Sequence, residues 1–116
     1  MREIKGEDYQ INYNPSQATM IFQGLLRLQG LPAYAPIIDL LNDLADRKPE
    51  TISLNLRELT FLNSSGIDML LKFVIKVRKL RSSHLVVLVS EEVPWHKKSL
   101  NNLQRLMPGL ELKFDD

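Results

Sequence analysis

Residues 51–80 read TISLNLRELTFLNSSGIDMLLKFVIKVRKL. At the start Ile52, Leu54 and Leu56 alternate with polar neighbours, the period of a strand with one buried face, and LTFL (59–62) carries the apolar run on. The run stops at a polar knot, Asn63-Ser64-Ser65-Gly66. A helical stripe then begins at once: Ile67, Leu70, Leu71, Val74 and Val77 on one side, Asp68, Lys72, Lys76 and Lys79 on the other. A strand that turns directly into an amphipathic helix is the building unit of an α/β sheet.

The flanks extend the pattern. YQINY (9–13) alternates Tyr9, Ile11 and Tyr13 against Gln10 and Asn12, and Asn14-Pro15 opens a turn. Thr19 to Leu28 reads as a second strand hairpinned to the first, with Gly24 marking a bulge or a close backbone approach. From Ala33 to Arg47, Tyr34, Ile37, Ile38, Leu41, Leu44 and Ala45 keep helical spacing, with Pro36 in the first turn. LVVLV (85–89) is a continuous apolar run, as in a strand covered on both faces. Pro94 can open a third helix with Leu100, Leu103, Leu106 and Met107 inside; MPG ends it, and LELKF (110–114) is a last, edge-like strand. The expected fold class is α/β, in the order β-β-α-β-α-β-α-β. It has an N-terminal antiparallel hairpin and a parallel centre, with helices packed on the sheet. A chain of 116 residues with no repeat or long linker is expected to be one domain, 1–116.

The knot invites a chemical reading. A helix start leaves N–H groups without internal acceptors. Ser65 is placed to cap them, and Ser65-x-x-Asp68 has the form of a capping box. Asp68 suits the positive end of the helix dipole, and Gly66 keeps the first turn free of a side chain. Ser64, one residue earlier at the carboxyl end of the strand, stands where open α/β sheets tend to bind ligands. A phosphoryl group on it would meet the free N–H groups. In the competing reading both serines are simple caps and Asn63 shapes the turn. Spacing alone does not choose between them.

Composition narrows the classes. The absence of cysteine removes thiolate chemistry, disulfides and cysteine zinc sites. MREIKGEDYQ is too polar for a signal peptide, and no apolar run approaches the ~20 residues of a membrane span, so no membrane insertion and a cytoplasmic location are expected. A net charge of +1 supplies no field for nucleic acid. The basic residues Lys72, Lys76, Arg78, Lys79 and Arg81 are interrupted by the core positions Phe73, Val74 and Val77 and read as a solvated helix face. His84 and His96 lie on different elements, with no cysteine or evident carboxylate partner, so neither a metal site nor acid–base work is expected. Asp43 and Asp46 read as surface, Asp115 and Asp116 as a free tail, and Trp95 as a packed helix start or an interface anchor. Gly24 and Gly30 make no phosphate loop, and no cofactor is implied.

TISLNLRELTFLNSSGIDMLLKFVIKVRKL resembles the central segment of STAS domains, the family that includes bacterial anti-sigma factor antagonists. The flanking elements follow in that family's order over nearly the whole chain. The resemblance implies a STAS-like mixed sheet and a non-enzymatic partner-switching protein. Its phosphoacceptor would be Ser64, and its partner surface Asn63, Ser64, Ser65, Gly66 and Asp68, joined by residues around LQGLPAY (28–34). It further implies a serine/threonine kinase of the anti-sigma factor type, a metal-dependent serine phosphatase, and a regulatory target bound by the unmodified form. The family's usual Asp is Asn63 here. A branch of STAS-like regulators, some controlling diguanylate cyclases, also carries Asn before its acceptor, and LQGLPAYAPIIDLLNDL is closer to that branch. The alternatives are a STAS-like scaffold or small-ligand sensor that is never phosphorylated, and an enzyme. For the enzyme no nucleophile, base and oxyanion site can be assembled from these residues.

Overall fold

The computed structural model describes residues 2–115. Its sheet has six strands in sequential spatial order: β1 (Arg2–Lys5), β2 (Tyr9–Asn14), β3 (Thr19–Leu26), β4 (Thr51–Leu62), β5 (His84–Val89) and β6 (Glu111–Phe114). β1–β2 and β2–β3 pair antiparallel; β3 through β6 pair parallel. Three helices make the parallel crossovers: α1 (Ala35–Asp46), α2 (Ser64–Leu80) and α3 (Pro94–Leu106). Right-handed crossovers between successive neighbours place all the helices on one face. The core lies between, with Ile52, Leu54, Leu56, Leu85 and Val87 facing Leu41, Leu44, Leu70, Val74 and Leu100.

The expected order holds from Tyr9 onward, and the structure adds β1 in front of it. Its sequence, REIK, is exposed except for Ile4, which is half-buried, so no alternation marks it. Leu85, Val87 and Val89 of LVVLV face the helices; on the other face, which carries no helix, Val86 is nonetheless buried and Leu88 half-buried, so the run is covered on both sides except at Leu88.

β4 departs from simple alternation for a definite reason. Its buried positions are Ile52, Leu54, Leu56, Leu59 and Leu62. Two steps of three residues replace steps of two because β4 carries an extra residue twice against β3. Ile21 pairs with Asn55 but Gln23 with Glu58, and Gly24 pairs with Leu59 but Leu25 with Phe61. Each bulge leaves a backbone group unpaired, and a side chain takes it up. Asn55 Oδ1 accepts from the Arg57 N–H (3.1 Å), and the Thr60 hydroxyl donates to the Gly24 carbonyl (3.2 Å). Gly24 has φ +93, and its Cα lies against the Asp8 carbonyl of the β1–β2 turn, where a side chain has no room.

At the end of the sheet where β4 begins, the fully buried Tyr13 donates its hydroxyl to Asp43 (2.5 Å), which also accepts from Arg47 Nε (2.9 Å). Burial first, then the Asp43 carboxylate, pushes the Tyr13 pKa up to about 12. The Tyr13 hydrogen bond, with Arg47, holds Asp43 below the usual carboxylate range. Asp43 therefore ties β2 to the end of α1 and is more than a surface carboxylate, while Asp46 is exposed and pairs with Lys76 (3.1 Å). Asp115 is no free tail. Its N–H donates to the Val89 carbonyl (3.2 Å) and its carboxylate accepts from the Glu91 N–H (3.2 Å). Asp116 lies outside the described residues.

Gly24→Ala is expected to destabilise the fold by about 1–3 kcal/mol in urea unfolding. Gly109→Ala, where an added methyl meets nothing within 4 Å, should stay within about 0.5 kcal/mol of the parent.

Candidate functional site

The corner between β4 and α2 is organised by one side chain. Asn63 is the residue before α2, in extended conformation (φ −78, ψ 175). Its Oδ1 accepts from the Gly66 N–H (3.0 Å) and from the Tyr34 hydroxyl (2.7 Å). Its Nδ2 donates to the Leu28 carbonyl (2.8 Å). Its backbone N–H donates to the Leu26 carbonyl (3.1 Å) and its carbonyl accepts from the Ile67 N–H (3.0 Å). The two donors fix which end of the amide is oxygen, and the carbonyl fixes which end is nitrogen.

This corrects the expected cap. Asn63, not Ser65, caps α2, and there is no Ser65–Asp68 box. Asp68 is the fifth helical residue, outside the first turn, and pairs with Lys72 (3.2 Å). Gly66 is buried, and a Cβ there would strike the Leu62 side chain and come within 2.9 Å of the Tyr34 hydroxyl. Gly66 is thus a place where Tyr34 approaches the helix backbone closely. That position 63 holds Asn rather than Asp also has a structural reason. A carboxylate would keep the cap and the Tyr34 bond but set an oxygen against the Leu28 carbonyl.

Asn63 leaves the serines without a structural task. Ser64 is the first residue of α2 and exposed; Ser65 follows, half-buried. Neither hydroxyl is hydrogen-bonded among the described residues. The N–H groups of Ser64 and Ser65 belong to the first turn and have no intrahelical acceptor. An exposed hydroxyl therefore stands beside unpaired amides at the positive end of a 17-residue helix.

Tyr34 ends the segment 28–34 that was expected to join this corner, but its bond to Asn63 was not foreseen. It is fully buried, at the end of a 3₁₀ turn (Leu31–Tyr34) ahead of α1. Burial raises its pKa, so it remains a donor at neutral pH. Through Leu28 and Tyr34, the segment 28–34 is bonded to the corner. In the sequence Tyr34 was legible as a member of an apolar stripe and of the 28–34 segment, while its hydroxyl's partner was not.

The other candidates lie elsewhere. Lys72 and Lys76 are occupied by Asp68 and Asp46, and Arg78 donates to the Leu106 carbonyl (2.9 Å). His84 does have a carboxylate neighbour, since sheet pairing brings Glu111 within 3.3 Å of its Nε2. His96 is fully buried, and Trp95 is partly packed, its ring N–H donating to the Leu59 carbonyl (3.2 Å). Among the described residues no three metal-ligating side chains converge, and no helix is long and apolar enough to cross a membrane.

No protein-family model and no curated protein matches the chain. Solved structures do. A chain of the Pseudomonas aeruginosa complex between the diguanylate cyclase SiaD and its activator SiaC superposes with TM-score 0.76 at 13% identity, covering 99% of this chain and 100% of that one. SiaC of Pseudomonas aeruginosa gives TM-score 0.69 at 14% identity, covering 100% of this chain and 98% of its own. The phosphorylated form of the Bacillus cell fate determinant SpoIIAA gives TM-score 0.56 at 18% identity, with 90% and 89% covered. At these identities the likeness is one of fold, and the fold is STAS-like.

Asn63→Ala is expected to cost about 1–2 kcal/mol in chemical unfolding, the loss of a cap at an otherwise unchanged helix. Asn63→Asp should lose about 1 kcal/mol for the missing donor, and Ser65→Ala should stay within about 0.5 kcal/mol of the parent. A Ser65→Ala loss as large as that of Asn63→Ala would return the cap to Ser65.

Proposed function

We propose that this chain is a partner-switching regulatory protein, a ligand for other proteins rather than a catalyst, whose target binding is controlled by reversible phosphorylation of Ser64. The observation that carries the proposal is the division of labour at the corner. Asn63 caps the helix, so the exposed Ser64 hydroxyl is spare. A serine/threonine kinase transfers a phosphoryl group to Ser64 Oγ: the O–P bond forms, the nucleotide's terminal P–O bond breaks, and the hydroxyl proton leaves to the kinase's base. A metal-dependent phosphatase reverses it. The phosphate brings about −1.5 to −2 charges at pH 7. The Ser64 and Ser65 amides and the helix dipole accept that charge locally. A partner seated on the same surface would have to desolvate it.

The partner surface in this reading comprises Asn63, Ser64, Ser65, Gly66 and Asp68, extended by the segment 28–34 that Asn63 holds against it. Gly66 is buried and contributes through the shape it allows at the helix start. Asp68, half-buried and paired with Lys72, lies one turn further along α2. The target is a regulatory protein. The likeness to SiaC and the amide at position 63 favour control of a diguanylate cyclase over that of a sigma factor. The location that goes with such partners is the cytoplasm.

A second reading, a module that senses a small ligand and is never phosphorylated, has one feature in its favour. Leu31, Ile38, Leu41, Met69 and Phe73 line a groove of 330 Å³ between α1 and α2.

Intact-mass analysis of the protein from its native cells separates the two. A single phosphate mapped to Ser64 and absent in Ser64→Ala supports switching, whereas no phosphate under any growth condition supports the sensor. With a target recovered by pull-down, Ser64→Asp should bind at least about tenfold more weakly, a change of about 1.4 kcal/mol, with an unchanged circular dichroism spectrum. Equal affinities would contradict control by charge.

A further inference from the structure

Beyond Asn55, β4 has no β5 residue paired beside it. On that side its backbone is held at Leu59 by two ring N–H groups from the first turn of α3. Trp95 Nε1 and His96 Nε2 both donate to the Leu59 carbonyl, at 3.2 Å and 3.0 Å. The other ring nitrogen of His96, Nδ1, accepts from the Ser90 N–H (2.9 Å). The imidazole is fully buried, and its edge meets the Trp95 ring at 4.4 Å between centroids. A ring that accepts at Nδ1 and donates at Nε2 is neutral, in a single tautomer.

We infer that His96 is an acid-sensitive latch, which joins β4 to the Ser90–Val93 turn while neutral and releases both when protonated.

The geometry admits no other outcome for an added proton. A hydrogen on Nδ1 would point at the Ser90 N–H, donor against donor, in a site without water-exposed surface. The turn must open to relieve it. Besides the His96 ring, that turn is held by Val93 N–H to the Ser90 carbonyl (3.3 Å), Glu92 N–H to Ser90 Oγ (3.2 Å) and Glu91 N–H to the Asp115 carboxylate (3.2 Å), and the His96 N–H to the Val93 carbonyl (3.1 Å) joins it to α3. Opening removes both ring donors from Leu59, four residues before Asn63.

The charged surroundings do not favour the imidazolium enough to prevent this. Burial, the leading cause, lowers the His96 pKa; the bond to the Leu59 carbonyl and, more weakly, the Asp115 carboxylate beyond β6 pull the other way. Asp115 is itself engaged by the Glu91 N–H. On β4, Arg57 is turned to the Val89 and Lys113 carbonyls, and Glu58 accepts from Gln23. On α2, Arg78 is committed to Leu106. Glu91 and Glu92 of the turn, and Lys97 and Lys98 of α3, are exposed. A buried neutral histidine contributes its full stability above the ordinary value of about 6.5 and loses it as pH falls below that toward the lowered folded value. This inference is independent of the proposed role of Ser64.

Trp95 is the only tryptophan and reports on the latch directly. As pH falls from 7.5 to 4.5, its emission maximum should move to longer wavelength below the ordinary histidine value of about 6.5, before the far-ultraviolet circular dichroism changes. The shift should persist in His84→Gln and vanish in His96→Gln, whose amide does not titrate. Amide exchange of the unsubstituted protein gives a reading that needs no variant. Corrected for intrinsic rate, Ser90 protection should fall by up to about tenfold per pH unit below 6.5, while the Ile67 amide stays protected. An identical emission shift in His96→Gln, no shift in the parent, or Ser90 protection that tracks Ile67 throughout would overturn the latch.

Discussion

The carboxamide of Asn63 is the constraint on which the corner depends. It is the only group there that can accept twice and donate once in the directions required: toward the Gly66 N–H and the Tyr34 hydroxyl with oxygen, and toward the Leu28 carbonyl with nitrogen. A serine at this position could cap the helix but not reach all three partners; an aspartate could not donate. The bonds join the exit of β3, the entry to α1 and the start of α2. Because the helix start is satisfied from residue 63, the two hydroxyls that follow are not needed to hold the fold together. A side chain freed from structural duty, exposed, and set against unpaired amides is what a reversible modification site requires.

The sheet gives this corner its position. Sequential strand order with same-handed crossovers sends every parallel strand toward one end. The β1–β2 turn, the segment 28–34, the Asn63 corner and the Ser90–Val93 turn gather there. The far end is closed by the Tyr13–Asp43–Arg47 cluster. The two bulges of β4 act as a pair: the first turns Leu59, at an odd position, into the core, and the second restores the phase, so that Leu62 faces inward as Ile52, Leu54 and Leu56 do. The groove between α1 and α2 and the half-exposed Phe61 flank the same region.

Much of this was legible in the sequence, because local rules govern it. Pro36 and Pro94 stand in the first turns of α1 and α3, and Gly24 marks the bulge. The helical stripes named the inner faces. What escaped depends on distant partners. Asn63 and Ser65 are both good cap residues, and the choice between them is made by Tyr34 and Leu28, about 30 residues away in the chain. β1 is held by pairing rather than burial, so REIK shows no pattern. His96 looked idle because both its partners are backbone groups, which carry no sequence signature. The glutamate beside His84 and the anchoring of Asp115 arise only when β6 pairs with β5.

The most direct test is the thermal unfolding of protein carrying a phosphate at Ser64, beside the unmodified protein. If Asn63 alone satisfies the helix start, the phosphorylated form melts at the same temperature or slightly higher, since the added charge sits at the positive end of α2. A fall of more than about 5 °C, equivalent to roughly 1 kcal/mol for a domain of this size, would show that the Ser64 hydroxyl supports the corner and would contradict the account.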